Sequence, residues 1–200
     1  KSILQEAGEK VGLIGTIHNE IGQWEFPAKH TTPDPYQLHT MLERMAEAGC
    51  RYVVMEASSH ALDQHRLEGC RFAAAVFTNL SQDHLDYHGT MENYFAAKKK
   101  LFAMADTAVV NLDDSKGMEL AEELGPETVT FSLEKDEATL TARNITSNVK
   151  GSSFLLVGEK IIQRTRIGMP GRFSVSNGMA AAAACYALGI PPEKIVAGLA

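Results

Sequence analysis

Short apolar runs alternate with helical segments along the first half of the chain, and this alternation constrains the fold more than any other feature of the sequence. Runs of strand length occupy residues 11–14, 51–57, 72–78 and 107–111. The second and third runs are nearly continuous, which is typical of parallel strands buried on both faces. Strands separated by helices in this way predict an α/β fold with a parallel sheet.

Helical patterns lie between and after these runs. Leu38, Met41, Leu42 and Met45 follow the spacing i, i+3, i+4, i+7 and predict an amphipathic helix that ends before Gly49. Residues 1–8 resemble the end of a helix that stops at Gly8, and residues 17–27 predict a β-ribbon around Gly22. The other predicted helices cover residues 90–103, 115–124, 174–188 and 193–200.

The sequence changes character at Thr128, where short strand patterns replace the alternation. They cover residues 128–132, 139–147, 152–157 and 160–163, with Gly158-Glu159 as a turn. We therefore predict a three-layer α/β fold: a mostly parallel sheet with helices on both faces, and a small antiparallel sheet from about residue 128 to 168. Neither end carries capping signals, so we expect one domain over residues 1–200 that is truncated at both ends.

The composition limits the classes of function. With 200 residues, 44% of them hydrophobic, the chain can bury the core of one sizeable domain. A net charge of −6 argues against a nucleic-acid-binding surface. The sequence contains no apolar run of about eighteen residues, so it does not predict a membrane-spanning helix. The three cysteines have neither metal-ligand nor disulfide-framework spacing, so we expect a reducing, cytoplasmic location.

Ionisable residues are concentrated directly after the predicted strands, where open α/β sheets bind ligands. Glu56 ends one apolar run, and a buried carboxylate there needs a partner, either in a structural salt bridge or in a functional site. The next run is followed by two carboxylates and two imidazoles, a combination that suits a divalent cation: Asp83, His84, Asp86 and His88.

Lys98 lies on an apolar helix face. Met91, Phe95, Lys98 and Phe102 follow the spacing i, i+4, i+7, i+11, whereas Lys99 and Lys100 point elsewhere. Such a lysine either extends its ammonium group to solvent or is desolvated enough to lose its proton and become chemically modifiable. The periodicity does not separate these two interpretations.

Three further segments have both an ordinary and a functional interpretation. Thr31 and Thr32 precede a helix and either cap it or hold an anion at its N-terminus. Residues 111–114 follow a strand and residues 171–177 open a helix, as ordinary turns do.

Taken in order, these segments resemble the Mur ligase family, and within it the UDP-N-acetylmuramoyl-tripeptide synthetases, which add the third peptide residue. The stretch MEASSHALDQHRLEGCRFAAAVFTNLSQDHLDYHGTMENYFAAKKKLF at residues 55–102 carries most of the resemblance, with HTTPD before it and VVNLDD after it. The resemblance implies a P-loop-NTPase-like fold. It also implies an ATP-dependent ligase that converts a carboxylate into an acyl phosphate, which an amino acid amine attacks to form an amide in peptidoglycan synthesis.

The resemblance also implies roles for individual residues. Glu56, His84 and Lys98 resemble the residues that position Mg²⁺, with Lys98 carbamylated. The residues that resemble contacts to the UDP-N-acetylmuramoyl dipeptide are Thr31, Thr32, Ser58, Gln64 and Arg66. Those that resemble residues near the adenosine of ATP are Asn111, Asp114 and Asn177.

The sequence departs from the family pattern by two missing segments and one differing residue. The phosphate-binding Gly-Lys-Thr loop is expected immediately before Lys1, and the domain that selects the amino acid is expected after residue 200. Ser174 stands where family members commonly carry Asn. We therefore expect a monomeric parent enzyme, whose partners are the UDP-N-acetylmuramoyl dipeptide and an amino acid, and an inactive isolated chain.

Two other classes of function stay open at this point. One is a metal-dependent phosphohydrolase built on His84, Asp86 and His88, which would need further metal ligands after other strands. The other is a non-catalytic nucleotide-binding module, for which the chemistry of Lys98 would not matter.

Overall fold

The computed structural model describes residues 1–200 and contains two sheets. The first has four strands in the order β3-β2-β1-β4. Strand β1 (Val11–Ile14) pairs in parallel with β4 (Tyr52–Met55) and antiparallel with β2 (His18–Ile21), which turns back into β3 (Trp24–Pro27). The ribbon predicted around Gly22 is thus confirmed, and Gly22 takes the φ of +63° that this turn requires.

The second sheet has six strands in the order β10-β9-β8-β7-β6-β5. Its first four strands run parallel: β5 (Ala75–Phe77), β6 (Ala108–Asn111), β7 (Val129–Ser132) and β8 (Leu140–Asn148). Strands β9 (Gly151–Gly158) and β10 (Ile161–Ile167) continue it antiparallel. The predicted antiparallel strands exist, but they are not a separate sheet. Leu140 and Thr141 of β8 pair with β7 on one edge and with β9 on the other.

Eight α-helices surround these sheets: α1 (Ser2–Glu6), α2 (Pro35–Glu47), α3 (Ser59–Asp63), α4 (Leu85–His88), α5 (Met91–Lys99), α6 (Ser115–Leu124), α7 (Arg172–Ala187) and α8 (Pro192–Leu199). A 3₁₀ helix, Lys100–Met104, follows α5 directly. The sequence did not predict α3 and α4, because helices of five and four residues are too short to show a period. None of the helices combines the length and apolar character that a membrane span requires.

Neighbouring residues of the central strands face two different cores. In β6, Val109 belongs to the cluster packed under α7 and α8, whereas Val110 packs with Phe95 of α5 and Leu120 of α6. Because successive strand residues point to opposite faces, helices cover both faces of this sheet. The predicted three-layer α/β fold is therefore confirmed.

Strands β4 and β5 both depart from the expected burial, since each is the edge strand of its sheet and β5 covers only three residues of the run 72–78. The apolar run 51–57 predicted a strand buried on both faces, but β4 is an edge strand that pairs only with β1, and Val53 is exposed. The sheet that contains it is separate from the six-stranded sheet, so one edge and part of one face of β4 have no neighbour in this chain. The prediction of full burial was wrong for this strand.

Candidate functional site

The predicted site residues follow the carboxyl ends of parallel strands, as expected for an open α/β sheet. Thr16 comes two residues after β1 and Glu56 directly after β4, and these two strands are parallel neighbours. Thr78 follows β5, and Asn111 ends the neighbouring strand β6. In both sheets, therefore, these polar residues lie at the carboxyl ends of the parallel strands.

Glu56 is exposed and its carboxylate is held by hydroxyl and amide groups instead of a cation. Thr16 Oγ1 donates to Glu56 Oε2 at 2.6 Å, and the Thr16 amide lies 3.3 Å from Oε1. Thr16 Oγ1 also lies 3.2 Å from Thr31 Oγ1. The alternative of a buried structural salt bridge at Glu56 is therefore wrong. Its negative charge stays available at the surface because no Lys or Arg neutralises it.

Four of the five predicted substrate contacts form one hydrogen-bonded network. Thr32 Oγ1 donates to the Glu56 carbonyl at 2.7 Å and accepts from the Ser58 amide at 3.0 Å. Arg66 donates to the Thr32 carbonyl from Nη1 at 3.1 Å and to Gln64 Oε1 from Nε at 2.9 Å. Thr32 is buried, so it acts as the fixed centre that joins the loop before α2 to the loop before α3.

The loops on either side of this network are fixed by helix caps. Asp34, not Thr31 or Thr32, caps α2, with its Oδ1 accepting from the Gln37 amide at 3.0 Å. Ser58 caps α3 by accepting from the Ala61 amide at 3.2 Å. The capping interpretation is therefore wrong for both threonines. Ser58, for which the sequence predicted no cap, is the capping residue of α3, so its hydroxyl is already engaged with its own helix.

The histidines of the second cluster occupy different environments. His84 is exposed and has a left-handed backbone, with φ +55°. His88 is buried, with Nε2 2.9 Å from Ser59 Oγ, and burial followed by the nearby His60 lowers the pKa of its imidazole. His60 lies between them, 4.9 Å from the His84 ring and 5.4 Å from the His88 ring.

No three His, Cys, Asp or Glu side chains gather closely enough to hold a metal by themselves. The phosphohydrolase hypothesis therefore lacks the further ligands that it requires, and the imidazole of His88 is engaged with Ser59. Mg²⁺ has a smaller requirement, because it is usually bound by one or two carboxylates together with waters and substrate phosphates. Glu56 fits that pattern as an exposed carboxylate, the exposed His84 could add one imidazole nitrogen, and Lys98 would fit it only after gaining a carboxylate.

Lys98 is partly buried and has no carboxylate partner. Its Nζ lies over the Tyr94 ring, 5.2 Å from the centroid, and burial lowers the pKa of its ammonium group. Lys99 and Lys100, the next two residues, pair with Glu123 and Asp63. Of the two interpretations of Lys98, desolvation fits this environment better than extension into solvent.

The helix face predicted for Lys98 was wrong in detail. The spacing placed Lys98 with Phe95 and Phe102, but it is Lys99 that lies over Phe95, at 5.5 Å. Residues four apart on an α-helix lie above one another, which pairs Tyr94 with Lys98. Phe102 belongs to the 3₁₀ segment, whose tighter turn breaks the α-helical spacing.

Two of the predicted nucleotide contacts organise the end of β6. Asn111 is buried, donates from Nδ2 to the Thr78 carbonyl at 2.8 Å, and accepts from the Asp113 amide at 3.0 Å. Asp114 caps α6 by accepting from the Lys116 and Gly117 amides, and its other oxygen accepts from the Leu80 amide at 2.9 Å. These contacts join the loops that follow β5 and β6.

Asn177 is not part of that arrangement. It is exposed on α7, and no hydrogen bond joins its side chain to Asn111 or Asp114. Ser174, one turn earlier, donates to the Pro170 carbonyl at 3.0 Å. The structure therefore brings Asn111 and Asp114 together and leaves Asn177 on a separate element.

A cavity of about 530 Å³ lies between the segment that follows α3, residues 65–71, and the 3₁₀ helix, and it includes none of the predicted site residues. Its charged lining is largely paired internally, since Arg71 donates to Asp106 at 2.7 Å and Lys100 binds Asp63. The candidate site is therefore the open surface at the strand ends, not this cavity.

The sequence did not identify Thr16, His60 and Tyr94 as site residues. Thr16 carries the same signal as Glu56, a polar residue just past a strand, and could have been found by that rule. His60 also belongs to the polar residues that follow a strand, but nothing in the sequence indicated its contact with His84 or that of Tyr94, because folding alone brings these residues together.

Comparison with known proteins finds similarity to Mur ligases over the whole chain. Residues 1–185 match the Mur ligase middle domain. The chain is 44% identical over 204 residues to UDP-N-acetylmuramoyl-L-alanyl-D-glutamate–2,6-diaminopimelate ligase of Clostridium perfringens, covering all of this chain and 42% of that protein. It is 42% identical over 196 residues to the ligase of the same name from Caldanaerobacter subterraneus subsp. tengcongensis, covering 98% of this chain and 40% of that protein.

Solved structures agree with this comparison. A UDP-N-acetylmuramoyl-L-alanyl-D-glutamate–2,6-diaminopimelate ligase superposes with a TM-score of 0.89 at 32% identity, over 99% of this chain and 42% of that one. A pseudomurein peptide ligase type C from Methanothermus fervidus, at 19% identity and a TM-score of 0.73, shares the fold over 99% of this chain and 44% of its own. The chain spans about two fifths of the length of the curated relatives named above.

Proposed function

This chain belongs to the Mur ligase family, and we propose that it is the central domain of a ligase that adds the third amino acid to UDP-N-acetylmuramoyl-L-alanyl-D-glutamate in the cytoplasm. ATP is the proposed co-substrate and Mg²⁺ the proposed cofactor. The names of the relatives give 2,6-diaminopimelate as the amino acid, and we propose the same amino acid here. Other domains of the protein would supply the remaining contacts.

The environment of Lys98 is the observation that carries this proposal. In a phosphoryl transfer the protein mainly positions the phosphates and neutralises their charge. A partly buried lysine with a lowered pKa and no carboxylate partner is poorly suited to a structural ion pair. Its neutral amine, which the lowered pKa makes more accessible, is suited to add CO₂ and release a proton, which would leave an anionic carbamate oxygen donor on Nζ.

Glu56 and His84 are the other proposed Mg²⁺-positioning residues. Mg²⁺ bound at the phosphates would neutralise charge that develops during acyl-phosphate formation. Thr16 holds the Glu56 carboxylate in one orientation through both of its oxygens. His84 is fixed by its backbone, because Asp83 Oδ1 accepts from the His84 amide at 2.7 Å.

The Thr32 network is the proposed binding surface for the UDP-N-acetylmuramoyl dipeptide. Arg66 has a guanidinium group that can grip a carboxylate or phosphate with two donors, and Gln64 and Thr32 already fix its direction. Thr31 and Ser58 lie on the two loops that Thr32 joins. Asn111, Asp114 and Asn177 are proposed for the nucleotide, with Asn177 reaching it from α7.

Substitution of Lys98 tests this function in the full-length protein that contains the chain. Lys98→Ala should abolish phosphate release that depends on UDP-N-acetylmuramoyl dipeptide and 2,6-diaminopimelate. Short carboxylic acids should restore part of the activity, because they replace the missing carboxylate. Lys99→Ala is the matched control, since Lys99 is adjacent but paired with Glu123.

Two results would contradict the proposal. Full ligase activity of Lys98→Ala would remove its main support. Amide formation by the 200-residue chain alone would show that the chemistry does not depend on the other domains, contrary to the expectation that the chain by itself is inactive.

A further inference from the structure

Tyr94 contacts two of the proposed Mg²⁺-positioning residues at once. The His84 ring meets it edge-on, at 5.7 Å between centroids and 84° between planes. The Lys98 ammonium nitrogen lies over the same ring, 5.2 Å from its centroid. His84 precedes α4 and Lys98 lies in the last turn of α5, so the Tyr94 ring is a direct physical link between groups on two different elements.

Buried neighbours fix the Tyr94 ring in turn. His88 stacks on it with centroids 5.2 Å apart and planes 19° apart. His88 is held by Ser59, at 2.9 Å, and its carbonyl accepts from Asn93 Nδ2 at 3.0 Å. Tyr94, His88 and Ser59 are all at most 8% exposed, which leaves the ring little freedom to move.

The fixed ring matters because ligand spacing governs metal binding. Residues behind the ligands orient them, and their loss typically weakens metal affinity about 10–100-fold. Lys98 makes no salt bridge, and the exposed His84 has only the exposed carboxylate of the preceding residue, Asp83, at 3.5 Å from its Nδ1. The buried Tyr94 ring contacts both side chains and restrains them together, and the His60 ring adds a second contact to His84 at 4.9 Å.

We propose that Tyr94, stacked on His88 and anchored through Ser59, is a positioning residue that sets the spacing between His84 and Lys98. The inference rests on the proposed function, in which both residues position a divalent cation. The property that matters is the aromatic ring, because both contacts are ring contacts and the Tyr94 hydroxyl makes no hydrogen bond to His84 or Lys98.

The test uses Mn²⁺ as the metal probe with the full-length protein that contains this chain, in bicarbonate buffer with a non-hydrolysable ATP analogue that supplies the phosphates. Free Mn²⁺ is measured by electron paramagnetic resonance against the same mixture without protein. Tyr94→Leu should weaken Mn²⁺ binding by about tenfold. Tyr94→Phe keeps the ring and should bind Mn²⁺ as the unchanged chain does. Thermal unfolding of each variant, followed by circular dichroism, shows that the fold persists.

Phe95→Leu is the matched control. Phe95 is the next residue of α5, equally buried, and has Lys99 and Lys116 over its ring at 5.5 and 5.1 Å. Its replacement should lower the melting temperature about as much as Tyr94→Leu does while leaving Mn²⁺ affinity unchanged. If Phe95→Leu weakens Mn²⁺ binding equally, the effect of Tyr94→Leu is only structural and the inference fails.

Ligand variants separate failure of this inference from failure of the proposed function. If His84→Ala and Lys98→Ala weaken Mn²⁺ binding but Tyr94→Leu does not, Tyr94 has no positioning role and the metal-positioning residues stand. If His84→Ala and Lys98→Ala also leave Mn²⁺ binding unchanged, the metal-positioning residues are wrong, and the inference about Tyr94 falls with them.

Discussion

Three consecutive lysines where α5 passes into the 3₁₀ helix have the same side chain but different neighbours. Lys99 and Lys100 each reach a carboxylate on another element, Glu123 of α6 and Asp63 of α3. Lys98 points to an aromatic face, and burial lowers its pKa. The differences arise because successive helix residues point about 100° apart, so one sequence motif places three equal side chains in three environments.

The buried imidazole of His88 predicts how stability depends on pH. Burial, followed by His60, lowers its pKa below the ordinary 6.5 in the folded chain. The unfolded chain therefore binds more protons between the folded pKa and about 6.5. The contribution of His88 to the free energy of unfolding is therefore constant above about pH 6.5 and becomes less favourable as the pH falls through that window.

His88→Gln removes this titration and retains a side chain that can hydrogen-bond Ser59. The free energy of unfolding of His88→Gln, measured with urea between pH 5 and pH 8 on both proteins, should fall less steeply on acidification than that of the unchanged chain. Above about pH 7 the difference in free energy of unfolding between the two proteins should not change with pH, and this difference is the reference for the acidic range. Equal slopes below pH 6.5 would show that His88 does not contribute to the acid sensitivity.

At the scale of elements, Asp114 ties a helix to a neighbouring strand loop. Its Oδ1 accepts from the Lys116 and Gly117 amides, and its Oδ2 accepts from the Leu80 amide. Asp114→Ala should therefore lower the free energy of unfolding by more than the ~1 kcal/mol of an ordinary cap, because it also leaves a partly buried amide without a partner.

Asp34→Ala is the comparison for this prediction, measured by the same urea titration. Asp34 caps α2 with a single hydrogen bond to the Gln37 amide and should cost about 1 kcal/mol. Asp114→Ala and Asp34→Ala giving the same loss would mean that the Leu80 contact contributes nothing.

Gly117 predicts how closely α6 approaches β6. A Cβ placed there would lie 1.9 Å from the Asn111 carbonyl oxygen, and backbone cannot move aside as a flexible side chain can. Gly117→Ala should therefore destabilise the chain by about 1–3 kcal/mol despite the higher helix propensity of alanine. Thermal unfolding followed by circular dichroism measures this.

Gly178 in α7 is the matched control for Gly117. A Cβ there would have its nearest neighbour at 3.5 Å, an ordinary contact. Gly178→Ala should be neutral or stabilise by up to about 1 kcal/mol. If Gly117→Ala is equally well tolerated, α6 does not lie as close to β6 as the structure places it.

How far the sequence predicts these elements depends on the range of the interactions. The helix α2 shows four apolar residues at helical spacing, and it formed where predicted. The end of α5 was misjudged because the chain changes to a 3₁₀ helix at Lys100, which periodicity does not detect. Contacts such as Thr16 with Glu56 join residues forty positions apart, so a single sequence indicates each residue but not their meeting.

The same limit explains the edge position of β4. Its apolar composition predicted burial, and composition reports only that a residue can be buried, not what covers it. In this chain β4 has β1 on one side and no strand on the other. Tyr52 and Val54 pack against the main core, whereas Val53 stays exposed.

At the scale of the whole molecule, one apolar core joins the two sheets. The cluster that contains Val109 and Phe131 of the six-stranded sheet also contains Val11 of β1, with Tyr52 and Val54 of β4 packed against it. Helices α1, α7 and α8 complete this core, and Ile3, Met179 and Ile195 contribute side chains that are almost fully buried. The same core therefore packs beneath both groups of strand ends, the one with Thr16 and Glu56 and the one with Asn111 and Asp114.

This shared core predicts that the two sheets unfold together. Met179→Ala removes a side chain that is 0% exposed, so it should cost about 2–5 kcal/mol. Because the core is common to both sheets, the loss should appear in both, although Met179 lies on α7.

Hydrogen exchange followed by mass spectrometry at increasing urea should show β1 and β6 losing protection at the same, lowered denaturant concentration. Met169→Ala, at a residue that is 62% exposed, should leave both unchanged. If Met179→Ala weakens protection of β6 but leaves β1 as before, the sheets are independent units, and the strand ends that carry Glu56 and Asn111 are not held on one rigid core.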